Sequence, residues 1–541
     1  GFELGEKVTT INFEDIAANQ VVTFDKALTA ATVGVNNVIT NVPGAVTVKV
    51  DGTALKTLTV DASGKASNVT LTQTTGTIET LNITGKANLT LDAASTLTAV
   101  KTIDGSKAEG DLTFSNTTAM TSIKTGSGND TVTVAANVTS GETINLGAGN
   151  DKLVAGAGTI AAGSIIDGGA GIDSLDAALV NVGNAGVFAS FETISLTAAT
   201  VTALDMDLLT KSTITSIAKD NNAAHTLLNV KKSQALTVNT TTTTATTLTF
   251  KASEIAGTAD AYTINFAKDA AAVALGTTVA AGTVTIDGIE TVTVNSTGLA
   301  TTTKNIIDLD ADAAKSLVIT GDKAIDVTFT QFGTAFTGTD GKGVSTIDAS
   351  ASTAGITIGA LTAAFNLNVA AEGLTIKGGA GADSITTDAI TKATVATLTI
   401  DSGAGNDTLN LGAITVAGGL TKADIKVNAG AGNDTVKVGF VGGTFTLGAG
   451  KDTIDVSLAE AGVTTVAGGA IKTTITDIEK GDQIVFGAGS TLFAKVDISA
   501  ANNLDEALGL AAASNAVTTW FQFSGKTYIV DDNNAAGTLN A

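Results

Sequence analysis

Gly403-Ala404-Gly405-Asn406-Asp407-Thr408-Leu409-Asn410-Leu411 carries two messages in one short stretch. Its first half is a glycine-rich bend that ends in a carboxylate. Its second half alternates apolar and polar side chains with period two, the pattern of a strand with one wet face. The bend recurs along the chain. Upstream it reads Gly126-Ser127-Gly128-Asn129-Asp130, Gly147-Ala148-Gly149-Asn150-Asp151 and Gly168-Gly169-Ala170-Gly171-Ile172-Asp173. Around and after the quoted copy it reads Gly378-Gly379-Ala380-Gly381-Ala382-Asp383, Gly430-Ala431-Gly432-Asn433-Asp434 and Gly448-Ala449-Gly450-Lys451-Asp452. A short strand follows each copy, as in Thr131-Val132-Thr133-Val134.

The aspartates are 21 and 22 residues apart in the first cluster and 24, 27 and 18 apart in the second. Such steps fit one coil of a parallel β-solenoid, in which successive coils stack about 4.8 Å apart. The spacing therefore predicts that the bends of each cluster line up along one edge. A second repeat, Ile78-Glu79-Thr80-Leu81-Asn82-Ile83, returns as Phe191-Glu192-Thr193-Ile194-Ser195-Leu196 and as Ile289-Glu290-Thr291-Val292-Thr293-Val294, and marks a recurring strand opener.

Composition agrees with many short strands joined by glycine turns. The 541-residue chain is 43% hydrophobic but only 4% aromatic, with 60 Gly, abundant Thr and one proline, Pro43. That length and apolar content suit two to four folded domains. The fold class expected is all-β: parallel β-solenoid or β-roll segments with Asp-Gly turns, further β regions, and one short C-terminal helix. The helix is expected at Asn503 to Ala512, where Asn503 can cap, the acids Asp505 and Glu506 follow, and Leu504 and Leu508 stack. The divisions expected are an N-terminal β region (1–120), a first turn stack (121–200), a Thr-rich middle (201–370), a second stack (371–460) and a C-terminal cap (461–541).

Several function classes are disfavoured by charge and residue count. The net charge is −22, with 52 acidic residues against 30 basic ones, all lysine. Such a chain repels a phosphate backbone, so nucleic acid is not an expected partner, and it attracts cations. With no cysteine there is no disulfide or thiolate site, and one histidine, His225, excludes zinc sites built on His pairs. His225 lies among apolar residues and reads as structural. No run reaches about 18 consecutive apolar residues, so no transmembrane segment is expected. The chain opens on Gly1 without a signal-peptide pattern, so an export signal at this end is expected to be absent or removed.

Calcium requires about six to eight hard oxygens on a sharply bending backbone. Glycines tolerate positive φ, which lets their carbonyls turn inward, and the closing Asp adds a carboxylate. Stacked carboxylates about 5 Å apart would repel by roughly 1 kcal/mol in water and several times more at lower effective dielectric. A divalent ion reverses that sign and couples metal binding to folding. Ordinary hairpins use similar residues, but the repetition at one offset favours the cation.

The turns resemble the repeats-in-toxin motif, G-G-x-G-x-D-x-apolar-x, whose glycine-turn carbonyls and Asp carboxylates bind Ca2+ between coils. The resemblance implies ligands at Gly126, Gly128 and Asp130, at Gly147, Gly149 and Asp151, and at Gly169, Gly171 and Asp173. In the second cluster it implies Gly379, Gly381 and Asp383, then Gly403, Gly405 and Asp407, Gly430, Gly432 and Asp434, and Gly448, Gly450 and Asp452. Asp167 and Asp401 are candidate auxiliaries. Spacing departs from the motif, with one turn per coil and no tandem nonapeptides. The Thr/Ala-rich body, the I-E-T repeats, Val344-Ser345-Thr346-Ile347-Asp348-Ala349-Ser350 and the lack of cysteine look like the surface-layer (S-layer) proteins of Gram-negative bacteria. Ile475-Thr476-Asp477-Ile478-Glu479-Lys480-Gly481-Asp482-Gln483-Ile484 and Thr527-Tyr528-Ile529-Val530-Asp531-Asp532 are similar to the C-terminal region of type I secreted proteins.

The resemblance implies an extracellular structural protein that binds Ca2+, self-assembles into a lattice and touches outer-membrane lipopolysaccharide through a region not identified in the sequence. A calcium-dependent adhesin or biofilm-matrix protein is the alternative. A secreted polysaccharide-active enzyme is the remote one: there is no H-E-x-x-H, no G-x-S-x-G with a credible partner and no arginine, so no catalytic residue is proposed. Trp520, Phe521 and Phe523 read as core of the C-terminal cap, Met120 and Met206 as packing, and Thr240 to Thr244 as a loop or edge.

Overall fold

The computed structural model describes residues 2–5, 7–39, 45–74, 76–92, 97–197, 201–267, 278–333, 344–359, 373–387, 390–392, 397–412, 414–416, 425–439, 443–457, 473–486, 493–513 and 518–531. Pro43 and Asp532 lie outside the described residues. The chain forms two compact units, Gly1–Asn239 with Thr247–Lys251, and Thr240–Thr246 with Ala252–Ala541.

In the first unit, as far as Thr193–Leu196, the chain alternates strand by strand between two parallel sheets. One is a nine-stranded sheet running from Thr10–Glu14 to Phe188–Ala189. The other takes the intervening strands, among them Leu112–Ser115, Thr131–Val134, Lys152–Ala155, Ser174–Asp176 and Thr193–Leu196. Each coil therefore gives one strand to each sheet, the signature of a β-solenoid. Register is exact from coil to coil in the stacked core: Ile123 pairs with Ile144 and Ile144 with Ile166, while Val132 pairs with Leu153 and Leu153 with Leu175, and all are buried.

The second unit repeats the plan. Leu374–Lys377, Leu398–Asp401, Ile425–Asn428, Gly443–Thr446 and Thr473–Ile475 pair in one parallel sheet. Ser384–Thr387, Thr408–Leu411, Thr435–Val438, Thr453–Asp455 and Gln483–Val485 pair in the other.

The period-two text dictates this packing. In Thr57–Ala62 and Lys304–Ala311 every second residue is buried and the others stay partly wet. Val, Ile and Leu fill the interior, each contributing roughly 1.5–3 kcal/mol when fully buried, and a slip of one residue would turn that whole set outward. Thr240 to Thr244 form an irregular segment, as expected.

The helix forms at Leu504–Ala512, and the Asn503 side chain accepts the Glu506 N–H at 2.9 Å while Glu506 reaches back to Asn502 N at 2.7 Å. It packs on a three-stranded sheet of Phe493–Lys495, Thr518–Phe523 and Lys526–Asp531 through Ala507, Ala511, Phe521 and Val530. Phe521 is the buried aromatic of the expected trio. Trp520 is half-buried on the other sheet face, with the Lys495 ammonium 5.1 Å from its ring. Among the described residues no helix is long and apolar enough to cross a membrane.

Candidate metal centre

All seven turn aspartates are buried, with exposures from 0% to 2%. Burying seven carboxylates is costly unless each finds partners, and the solenoid supplies half of what they need. Each Oδ1 accepts a main-chain N–H from the coil before it. In the first unit Leu112 donates to Asp130 at 2.7 Å, Asp130 to Asp151 at 2.7 Å and Asp151 to Asp173 at 2.8 Å. In the second, Ile356 donates to Asp383 at 2.9 Å, Asp383 to Asp407 at 2.7 Å, Asp407 to Asp434 at 2.8 Å and Asp434 to Asp452 at 2.8 Å. The Asp-to-Asp steps read from the sequence are thus the rungs of two ladders.

The second oxygen divides the seven into two classes. Asp130 Oδ2 accepts the Gly126 N–H at 3.1 Å and Asp383 Oδ2 accepts the Gly379 N–H at 2.8 Å, so these two carboxylates are satisfied within their own turns. The Oδ2 atoms of Asp151, Asp173, Asp407, Asp434 and Asp452 are buried and have no hydrogen-bond partner. A buried carboxylate oxygen without a donor is a strong demand for a cation. Electrostatics agree. Burial pushes Asp151 up to about 7, with the neighbouring Asp130 and Asp173 adding to the effect. Burial likewise raises Asp173, Asp383 and Asp434 to about 6, and it raises Asp130, Asp407 and Asp452 in the same direction.

The glycines are required by closeness as well as by conformation. Gly147, Gly149, Gly169, Gly171, Gly403, Gly405, Gly430, Gly432, Gly448 and Gly450 all have positive φ. At Gly448, with φ +97°, an added Cβ would stand 1.7 Å from the Gly430 carbonyl oxygen of the coil beneath. Gly126, Gly128, Gly379 and Gly381 differ from the expectation of a left-handed bend, because each opens its stack against a coil without such a turn. They are still needed for space: a Cβ on Gly381 would meet Gly355 N at 2.1 Å. Main-chain oxygens of successive turns are thereby packed into a column beside the carboxylates. Among the described residues no three His, Cys, Asp or Glu side chains converge as a ready-made cage. A cation here would accordingly be held by one or two carboxylates together with main-chain oxygens, a donor set that suits a hard ion such as Ca2+.

The two auxiliary candidates part company. Asp167 accepts the Gly169 N–H at 3.2 Å and its charge acts on Asp173, so it stands at the turn. Asp401 is exposed at its strand end, where Oδ1 accepts from Asn428 Nδ2 at 3.0 Å, and it is not brought to the buried column.

Sequence reasoning missed three sets of residues. Asn129 Oδ1 accepts the Asn150 N–H at 2.8 Å, Asn150 that of Ile172 at 2.9 Å, Asn406 that of Asn433 at 2.7 Å and Asn433 that of Lys451 at 2.9 Å. This outer ladder runs opposite to the Asp ladder, so each turn is fastened to the coils on both sides. Its signal was the recurrence of Asn before Asp. The Asp ladders also end on acids outside the glycine motif: Asp173 N–H donates to Glu192 Oε2 at 2.9 Å and Asp452 N–H to Asp482 Oδ1 at 3.0 Å. Asp477 in the same closing coil accepts Leu447 and Gly448 N–H groups, both at 2.8 Å. His225 is structural: it is buried, Nδ1 accepts the Val201 N–H at 3.2 Å, Nε2 meets Asn221 Oδ1 at 2.9 Å, and burial holds it down to about 4.

No curated protein matches the chain. A family model described as the RTX calcium-binding nonapeptide repeat (4 copies) matches residues 139–159, 375–389 and 399–413. Those segments contain the turns ending at Asp151, Asp383 and Asp407, and the match indicates Ca2+ as the ion that this solenoid binds.

Proposed function

We propose that this is an exported structural protein of the bacterial cell surface, rigidified by Ca2+ and assembling with copies of itself into a two-dimensional S-layer lattice. The observation that carries the reading is the set of five buried Oδ2 atoms without a donor, at Asp151, Asp173, Asp407, Asp434 and Asp452. Such a fold is at odds with itself where divalent ions are scarce and is completed where they are abundant, which suits a chain that leaves the cytoplasm before folding. Support also comes from the calcium-repeat match, from the net charge of −22 and from the lack of cysteine, which leaves no disulfide to staple the fold. The bound ion would supply charge neutralisation and cross-coil links, not chemistry on a substrate. Contact with lipopolysaccharide through a separate anchoring region belongs to the same proposal.

Electron microscopy of the purified protein with millimolar calcium and with chelator tests it. Ordered sheets that form with calcium and disperse with chelator are expected. A protein that stays monomeric in calcium yet binds a surface receptor would replace the lattice role with that of an adhesin.

A further inference from the structure

The first Asp ladder ends not on another glycine turn but on Glu192, the acid of the second I-E-T repeat. The three copies of that repeat differ in what faces their glutamate. Glu79 pairs with Lys56 at 2.6 Å. Glu290, which accepts the Asp260 N–H at 2.9 Å, has the Lys315 ammonium 3.8 Å away, and Lys315 also donates to the Thr258 carbonyl at 3.0 Å. Glu192 makes the same bond to an Asp N–H as Glu290 does, but it forms no ion pair among the described residues.

What stands there instead is a set of oxygens. Asp173 is fully buried and its Oδ2 has no partner. A Cβ placed on Gly168 would lie 3.0 Å from that Oδ2 and 2.2 Å from the main-chain oxygen of Ser190, so oxygens from two coils face the same glycine, in space that a side chain would fill. Ser190 holds its backbone at φ +57°, a left-handed conformation that costs a non-glycine residue on the order of 1–3 kcal/mol. The loop is pinned in that shape: Ser190 N–H donates to the Lys211 carbonyl at 3.1 Å, Phe191 N–H to Ser212 Oγ at 3.2 Å, and the Phe191 ring is buried edge-on against Phe188.

We propose that the first stack closes in a further divalent-cation site, of the hard, oxygen-seeking calcium type, formed by Asp173 Oδ2, the Ser190 carbonyl and the Glu192 carboxylate. The ion takes the place that a lysine ammonium takes beside Glu79 and Glu290. Asp173 and Glu192 together carry the charge of two carboxylates, which one divalent ion neutralises. This inference rests on the reading that the Asp turns bind calcium and extends it to a residue outside the repeat.

The test counts ions per full-length chain by equilibrium dialysis against buffered calcium, for wild type, Glu192→Gln and Thr215→Lys. Gln keeps an acceptor for the Asp173 N–H. Thr215 is related to Glu192 as Lys315 is to Glu290, since the Glu192 carbonyl accepts Thr215 N–H at 2.8 Å and the Glu290 carbonyl accepts Lys315 N–H at 2.8 Å. Each variant is expected to bind one ion fewer than wild type. Thr215→Lys is also expected to melt higher than wild type in chelator, because it brings its own cation. Variants that bind the wild-type number of ions with unchanged affinity would overturn the Glu192 site alone. A wild type that takes up no calcium would overturn the underlying reading of the turns as well.

Discussion

Asp434 shows in one residue why the solenoid needs an ion. Its Oδ1 is paired with the Asp407 N–H at 2.8 Å, and its Oδ2 is buried with no donor. Burial and the neighbouring Asp407 and Asp452 raise its carboxyl to about 6. An acid raised in the folded state stabilises that state fully below the unfolded value of 3.8, and the stability is lost as pH rises through the folded value. The calcium-free protein is therefore expected to lose melting temperature between about pH 4 and pH 7 as Asp434, Asp173, Asp383 and finally Asp151 ionise. His225, held down to about 4, works against this trend, because its protonation costs stability as pH falls below its ordinary value of 6.5. The acids outnumber it, so the net slope follows them. Asp434→Asn keeps the Oδ1 acceptor and removes the charge. In chelator at pH 8 it is expected to be more stable than wild type by on the order of 2–3 kcal/mol, and in saturating calcium less stable. Thermal melts of the two proteins across pH check both signs, and a variant destabilised equally with and without calcium would show that the charge is not there for an ion.

At the scale of the coil, the glycine turns and the two ladders do separate jobs. The Asp ladder reaches back one coil and the Asn ladder reaches forward one, so a turn is held from both sides before any ion arrives. The glycines let the turns approach closely enough for this. Gly448→Ala would put a methyl 1.7 Å from the Gly430 oxygen at φ +97°. The backbone conformation alone is expected to cost about 1–3 kcal/mol, with the clash added to it. Hydrogen exchange should show the loss confined to the second stack, and unchanged protection of Ala431 and Ala449 would contradict the close-packed turn.

What was legible in the sequence follows the same division. Strand and turn identity are local properties, and Thr131–Val134 and Thr408–Leu411 form where the alternation places them. The capped helix at Leu504–Ala512 was equally local. The ladder of Asp rungs could be counted from the spacing because every step is one coil. Which oxygen of each Asp is free was not legible. It depends on what lies in the next coil: Asp130 and Asp383 open their stacks and turn Oδ2 onto their own glycine amides. Glu192 and Asp482 were hidden for the same reason, since their role comes from register with a coil some twenty to thirty residues away and not from a motif of their own.

At the scale of the whole molecule, hydrophobic columns and ion sites carry different parts of the chain. The strands Thr291–Ser296, Lys304–Ala311 and Ser316–Gly321 bury continuous aliphatic columns and have the Lys315–Glu290 pair as their own charge balance. In the coils of Asp151, Asp173, Asp407, Asp434 and Asp452 a carboxylate oxygen is instead buried without a hydrogen-bond partner. Calcium dependence should therefore be regional, confined to the coils that carry the orphaned carboxylate oxygens. The most direct measurement is hydrogen exchange of the full chain, calcium-free and calcium-saturated, followed through a calcium titration at pH 8. Residues 147–151, 168–173, 403–407, 430–434 and 448–452 are expected to pass from fast to slow exchange as calcium is added, while 291–321 stays slow throughout. Identical exchange in those turn stacks with and without the ion would contradict the account.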